Sequence, residues 1–463
     1  MAFGLRAQKT VTQYERRLKL QKFQYSSPLK AFESISTHSE HCYLLESVEG
    51  PRRLAQYSFI GFSPKKIIQV KDHTYSEYSK DSKSIRFETD DPVRCLGKHL
   101  EHASSYRGFR FVGGLVGYFS YDTVRYLESL PETTSDDLKL PDFQFGQYDD
   151  GIVFDHLAGQ AYYYWYEENR AHELENLVST NQTSAQLSAT NPKVNLSQSK
   201  FASMVEKAKA YIKSGDIFQV VLSKRFEVEI DGALIHFYRR LRDINPSPYM
   251  YFLKMGSTMI VGSSPEMLGR VENRHVETYP IAGTRPIGRN SKETHQLASS
   301  LIHDPKERAE HVMLVDLARN DVGKVCQYGS VEVPEFMTVQ RYSHVQHIVS
   351  RVTGKLRLDQ NSVDTLKGIF PAGTVSGAPK KRAMEIIEQL ESNRRGPYAG
   401  AVGYFSYNGN ADFAITIRTL VANGKRGYIQ AGAGIVADSN ARREWDETEH
   451  KARALLQALS AGG

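Results

Sequence analysis

The chain has 463 residues, 40% of them hydrophobic, with 59 Lys and Arg against 53 Asp and Glu for a net charge of +6. That is enough apolar material for two or three ordinary domains or one large one. No apolar run approaches the roughly 18 residues that span a bilayer, no leading stretch resembles a signal peptide, and the charges are interleaved; the expectation is a cytoplasmic protein with no membrane and no nucleic-acid partner.

Arg6, Lys9, Arg16, Arg17, Lys19 and Lys22 make a locally basic leading segment that reads as solvated surface. Cys42, Cys95 and Cys326 are far apart and lack metal-ligand spacing, which argues for reduced, structural thiols. Two short segments recur in the same order. "IGFSP" at residues 60–64 is answered by "VGSSP" at 261–265, and "VGYFSY" occurs identically at 116–121 and 402–407. Between the copies, 14 of the 21 residues from Ser179 to Ser199 are Ser, Thr, Asn or Gln, a surface connection with little to pack. The organisation is therefore an N-terminal half (1–178), a polar connection (179–199) and a C-terminal half (200–463), two related halves packed as one unit. Pro265 is followed by Glu266 where Pro64 is followed by Lys65, so the acid, and with it the chemistry, belongs to the second half.

After the connection, Phe201, Met204, Val205, Ala208 and Ile212 carry a helical period that Gly215 stops, and "DIFQVVLSKRFEVEI" reads as a strand. In "YPIAGTRPIG" (279–288) the methyl group of Ala282 is set among turn-forming and charged residues. "DPKERAEHVMLVDLARND" starts a helix at Asp304 and Pro305, with Glu307 and Glu310 on one face beside Met313, Leu314 and Leu317. The last helix, with Ser439 as its expected cap, repeats the arrangement through Glu444, Glu447, Lys451 and Leu455. Two Glu-x-x-Glu helices can converge on a divalent cation, and hard oxygen ligands without paired His or Cys favour Mg2+ over zinc; the alternative is two solvated faces with ordinary charge spacing. "PAGTVSGAPKKR" leads into a helix near Pro379 whose first backbone N–H groups suit an anion. Arg418 in "AITIRTL" alternates with apolar strand neighbours, and "GAGIVA" at 432–437 reads as a tight turn beside a strand.

The ordered series "FQVVLSKR", "VGSSPEML", "YPIAGTRP", "KERAEHVMLVDLARND", "GTVSGAPK", "AITIRT" and "EWDETEHK" resembles the chorismate-utilising enzymes, most closely the anthranilate synthase component I family, through nearly all of residues 201–459. The resemblance implies an α+β fold of orthogonally packed antiparallel sheets flanked by helices, with chorismate and Mg2+ in a cleft. It implies Glu310 and Glu447 as direct metal ligands with Glu307 and Glu444 as their outer partners. Tyr398, Arg418, Lys451, Thr374 and the backbone of Gly432, Ala433 and Gly434 would hold the substrate. The reaction implied is addition of ammonia at ring position 2 with loss of the 4-hydroxyl, then elimination of pyruvate. Glu266 matches the general acid and His347 a histidine of the elimination step, with Thr284 counted in the catalytic group.

Two positions discriminate within the family. Aminodeoxychorismate synthases resemble this stretch but carry a lysine nucleophile where Ala282 stands, and isochorismate and salicylate synthases carry a water-activating lysine where Gln219 stands. The expectation is amination at position 2 by an anthranilate synthase large subunit acting in tryptophan biosynthesis. A 2-amino-2-deoxyisochorismate synthase without pyruvate elimination and a non-catalytic amino-acid-sensing subunit are the alternatives. "LLES" (44–47) and "NPSPYMYF" (245–252) resemble the segments of a tryptophan feedback pocket, which assigns Leu45, Glu46, Ser47, Asn245, Pro246, Pro248, Tyr249 and Met250 to it, with the polar groups of Glu46 and Ser47 toward the ammonium group. No segment supplies a glutaminase nucleophile in a Gly-flanked elbow. Ammonia from glutamine would need a separate amidotransferase subunit.

Overall fold

In the computed structural model, residues 16–23, 27–48, 56–79, 82–100, 104–179, 184–342 and 345–460 are described. Arg6 and Lys9 of the basic segment and residues 180–183 of the polar connection lie outside them. The first half contributes β1 (His41–Glu46), β2 (Tyr57–Phe62), β3 (Lys66–Lys71), β4 (Gly114–Phe119), β5 (Phe143–Tyr148) and β6 (Asp150–Asp155). The second contributes β7 (Gln219–Asp231), β8 (Tyr249–Met255), β9 (Thr258–Ser264), β10 (Met267–Glu272), β11 (His275–Thr278), β12 (Ile281–Pro286), β13 (Val345–Lys355), β14 (Ala401–Ser406), β15 (Ala411–Ile415), β16 (Thr419–Asn423) and β17 (Arg426–Ile435). The helices that matter for function are α1 (Ile235–Ile244), α2 (Pro305–Gly323) and α3 (Ala441–Ser460).

These strands form two antiparallel sheets, one containing β6-β2-β1-β8-β9-β16-β17-β7 in that order and the other β12-β13-β11-β10-β15-β14-β4-β5-β3. Successive side chains of a strand serve opposite faces. Leu44 packs outward with Phe32, Tyr238 and Leu455 of helices, while Tyr43 and Leu45 pack inward with Phe111, Tyr251 and Tyr404 between the sheets. The layers are thus helices, sheet, sheet, helices, an α+β architecture.

The repeats now have a spatial meaning. Reading outward from the centre, the first sheet runs β1-β2-β6 one way and β8-β9-β16 the other, and the second runs β4-β5-β3 and β14-β15-β10. The two "VGYFSY" copies pair with each other, Gly117 opposite Gly403 and Val116 opposite Tyr404. A pseudo-two-fold axis therefore passes between β1 and β8 in one sheet and between β4 and β14 in the other. The "SP" segments are corners where β2 leads into β3 and β9 into β10, each time from one sheet to the other. Chains that change sheets at corners are the usual companions of sheets packed across each other.

The polar connection does more than link. Ser188–Ala189 and Lys193–Val194 pair with β7, and Leu187 is buried in the core. Hydrogen bonds to β7 outweigh its polar composition.

Glycine is required on the axis. A Cβ at Gly117 would meet the Gln144 carbonyl at 2.0 Å, whereas one at Gly97 would meet nothing within 4 Å. Gly117→Ala should cost about 2 kcal/mol or more and Gly97→Ala less than about 0.5 kcal/mol, read as shifts in unfolding midpoint.

Candidate functional site

Two corners of the second half open into one cleft. At the first, Pro265 and Glu266 join β9 to β10; at the second, Thr416, Ile417 and Arg418 join β15 to β16. The backbone ties the corners together, with Ile415 N–H donating to the Glu266 carbonyl at 3.0 Å. Arg418 is not a strand residue: it occupies the turn, with a left-handed φ of 51°. Sheet changing overrides the apolar alternation around it. Glu266 lines a cleft of about 420 Å³ with Met267, Tyr279, Leu317, Asp321 and Thr374.

Burial pushes the Glu266 carboxyl up to about 7, against the opposing pull of the Thr374 hydroxyl and the Lys451 and Arg418 cations. A carboxyl that is protonated near neutrality is what a proton donor requires. Arg418, itself held below its ordinary value by burial, lies among the Tyr398 hydroxyl and the carboxyl groups of Glu447 and Glu266. Burial raises the Tyr398 hydroxyl to about 12, so it remains a neutral donor.

The opposite wall comes from β12 and β13. Ala282 faces Ile348 and Arg285 faces Gln346, so Gly283 and Thr284 together oppose His347 in a β-bulge. The bulge aims the Gly283 carbonyl at the imidazole: His347 Nδ1 donates to it at 2.8 Å, and the Thr284 hydroxyl lies 3.1 Å from the same nitrogen. That leaves Nε2 as the acceptor, on a ring that burial holds neutral below its ordinary value, helped by the Arg418 charge. Gly283 has φ 62° and approaches Glu307 so closely that a Cβ would stand 2.8 Å from Oε2.

On the floor, "GAGI" is the end of strand β17, not a turn, in register with β7: Gly432 opposite Ser223 and Gly434 opposite Val221. Its glycines make room for polar side chains. A Cβ at Gly432 would meet the Tyr398 hydroxyl at 2.6 Å, and one at Gly434 would meet Gln219 Nε2 at 2.5 Å. Gln219 Nε2 donates to Glu310 at 3.3 Å. Ala433 continues the buried core behind them.

The two acidic helices meet here. Asp304 caps α2 as expected, accepting from the N–H groups of Lys306 and Glu307. The cap of α3 is Asn440, whose side chain accepts from Arg442 and Arg443, because Ser439 is drawn to the Val436 N–H. Burial, then the charge of Glu307, raises Glu310, with Glu447 adding to it; burial, with Glu447 adding, raises Glu444. Cations hold the other two acids, Arg285 on Glu307 at 3.1 Å and Lys451 on Glu447 at 2.6 Å, the lysine also donating to the Gly432 carbonyl at 2.8 Å. Among the described residues no three His, Cys, Asp or Glu groups converge closely enough to hold a metal ion as placed. The donor chemistry nevertheless fits a hard divalent cation: the acids are all-oxygen donors, and two of them are raised by burial first and by their neighbours' negative charge second, the part such an ion would relieve.

A second cavity, of about 470 Å³, lies between the sheets beside the pseudo-two-fold axis. Leu45, Glu46, Ser47, Tyr249 and Met250 line it, with Tyr57, Phe59, Arg110, Tyr251, Tyr404 and Asp412 completing its wall. One oxygen of the Glu46 carboxylate accepts from Arg242 of α1 at 2.9 Å, on the helix side to which strand alternation turns it. Ser47 Oγ donates to the Pro248 carbonyl at 2.5 Å, fastening the two segments together. Asn245 bonds Ser263 at 2.7 Å, and neither it, Pro246 nor Pro248 lines the cavity. Sequence reasoning missed Asp412 and Arg110; the signal for Asp412 was a lone carboxylate in the apolar strand "ADFAI".

No helix among the described residues is long and apolar enough to cross a membrane. Burial pushes the Cys42 thiol up to about 12 and Cys326 to about 11, and raises Cys95, so none of them is poised as a thiolate.

A family model described as chorismate binding enzyme matches residues 40–457. Anthranilate synthase component 1 of Methanothermobacter marburgensis is 49% identical over 443 residues, spanning 96% of this chain and 95% of the relative. Aminodeoxychorismate synthase component 1 of Bacillus subtilis is 40% identical over 94% of this chain and 95% of its own length. The crystal structure of anthranilate synthase component I from Streptococcus pneumoniae superposes with a TM-score of 0.76 at 36% identity, covering 88% of this chain and 93% of that one.

Because the folded-state value of Glu266 is raised from 4.5 to about 7, its contribution is fully favourable below about pH 4.5 and is lost as pH rises through 7. Glu266→Gln should therefore be more stable than the parent at pH 8, by about 3 kcal/mol, with the difference vanishing near pH 4; denaturant unfolding across pH checks it.

Proposed function

The chain belongs to the chorismate-binding enzyme family, and we propose that it performs the reaction of anthranilate synthase component I, converting chorismate and ammonia to anthranilate and pyruvate. The observation that carries this reading is the Glu266 carboxyl, half-buried in a cleft where desolvation raises it to about 7. Hydroxide is a poor leaving group, and a neutral carboxyl can protonate the 4-hydroxyl as ammonia adds at position 2. Ala282 offers no amine for covalent capture at that carbon, and Gln219 offers no base to activate water, which separates this chemistry from that of relatives using a lysine at either place. His347, with Nδ1 committed to Gly283, is placed to take a proton at Nε2 as pyruvate leaves and the ring becomes aromatic. Arg418, Tyr398 and the strand end at Gly432–Gly434 support binding of the carboxylates, with Lys451 and Thr374 beside them.

Glu310 and Glu447, assisted by Glu307 and Glu444, would hold Mg2+, which supplies positive charge for an anionic substrate in an acidic site. The cavity at Leu45, Ser47, Tyr249 and Met250 suits tryptophan as a feedback inhibitor: Tyr57, Phe59 and Tyr404 offer flat apolar walls, with the charges of Asp412 and Arg110, each paired elsewhere, at its edge. The raised cysteines support a glutamine amidotransferase partner as the ammonia source.

Purified chain incubated with chorismate, Mg2+ and ammonium should form anthranilate and pyruvate, lose activity on chelation, and lose about 10²- to 10⁴-fold in kcat with Glu266→Gln. A product that keeps its pyruvyl group would transfer the reading to a 2-amino-2-deoxyisochorismate synthase, and absence of turnover would transfer it to a sensing subunit.

A further inference from the structure

The inter-sheet cavity and the catalytic cleft share no lining residue, yet Tyr249 touches both environments. It lines the cavity, and its ring packs on a cluster of Met267, Tyr279 and Val349, of which Met267 and Tyr279 line the cleft. A polar ribbon follows the same route. The Tyr249 hydroxyl donates to Asp412 Oδ1 at 3.0 Å, and Arg270 clamps the other Asp412 oxygen through Nε at 2.8 Å and Nη2 at 2.7 Å. Arg270 Nη1 reaches across to Glu277 Oε1 at 3.3 Å. Glu277 Oε2 accepts from the Tyr279 hydroxyl at 3.1 Å and from Arg351 Nε at 3.0 Å. Arg351 lies four residues beyond His347 on β13, on the same strand face.

We infer that Arg270 is a positioning residue that couples occupancy of the cavity to the geometry of the catalytic cleft, an inference that rests on the cavity binding tryptophan. Arg270 is 3% exposed. A guanidinium with so little access to water cannot give up one carboxylate without leaving a buried charge half-satisfied. A ligand that shifts Tyr249 and Asp412 therefore drags Arg270, and Glu277 with it. The pseudo-two-fold axis supplies an internal control. Arg270 stands opposite Asp412 and Glu277 in the ladder, whereas the corresponding positions of the first half are Gln69 opposite Gln144 and Ser76. The charged ribbon exists only in the half that carries Glu266 and His347, so general support of the sheet does not call for it.

The test is titration calorimetry of the full chain with tryptophan, with Mg2+ present, with and without saturating chorismate, and with ammonia and glutamine omitted to prevent turnover. Tryptophan Kd in the parent should rise about 5- to 150-fold when chorismate is present, the range of a single coupled pair of sites. Glu277→Gln, which keeps the size but removes the charge and turns one acceptor oxygen into a donor, should bring that ratio to within about two-fold of unity while Kd without chorismate changes less than about three-fold. Arg270→Lys, which keeps the charge but not the bidentate clamp, should do the same and serves if Glu277→Gln does not fold. An unchanged ratio in a folded variant overturns the coupling role. Loss of tryptophan binding in both variants also overturns it, since the ribbon would then be cavity wall. Failure of the parent to bind tryptophan overturns the cavity's assignment, and the coupling with it, but leaves anthranilate formation untouched as a separate readout.

Discussion

A strand that serves two sheets has to turn between them, and at the turn its backbone groups have left one ladder without yet joining the other. The central pair of charged groups in the cleft depends on that constraint. The corners β9–β10 and β15–β16 present Glu266 and Arg418 where no strand neighbour covers them, and the Ile415-to-Glu266 hydrogen bond sets the two corners side by side. The first half makes the same corners and closes them. Lys65 is held by Asp149 at 3.4 Å and Glu167 at 2.9 Å, and Asp149 is further held by Arg16 at 3.0 Å and the Tyr407 hydroxyl at 2.6 Å. Equivalent backbones thus give one satisfied ion network and one site with unspent charge.

That unspent charge is arranged consistently. Because desolvation raises Glu266 to about 7, it neutralises Arg418 only in part near neutral pH and leaves the guanidinium available to an anion. The helices α2 and α3 bring opposite charge to the facing wall, with Arg285 and Lys451 occupying two of the four carboxylates. Fitting an anionic substrate beside four acids requires extra positive charge, and burial, with neighbouring negative charge adding, already raises Glu310 and Glu444. The β-bulge opposite His347 plays the complementary part, fixing one ring nitrogen so that the other is presented with a defined role.

Much of this was legible in the sequence, for physical reasons. The repeated "VGYFSY" revealed the two halves because the copies pair with each other on the axis and face the same packing demands. The α2 cap and the β7 strand followed from local chemistry, Asp304 and Pro305 in one case and an apolar run bounded by turn residues in the other. What was not legible was set by tertiary partners. Arg418 looks like a strand residue because the apolar alternation around it continues, though it spans two sheets. The contact of Glu46 with Arg242 is between residues far apart in sequence, brought together only when the strand and helix pack. Gly432 and Gly434 look like a turn because a strand interior rarely spends glycines, and only the close approach of Tyr398 and Gln219 explains them. Asp412 shows in the sequence only as a lone carboxylate in an apolar strand, because its partners, Arg270 and Tyr249, are distant in sequence.

The position of the second cavity follows from the same symmetry. Beside an axis that passes between β1 and β8 and between β4 and β14, a ligand touches both halves at once: Leu45, Ser47 and Phe59 from one, Tyr249, Tyr404 and Asp412 from the other. The halves are otherwise joined there by two antiparallel ladders, which resist shear along the strands but leave side chains between the sheets free to repack. A ligand in that position can alter the relation of the halves without breaking a backbone hydrogen bond. Only one half has left its corner open, so a change relayed along Arg270 and Glu277 would reach unpaired polar groups in that half alone.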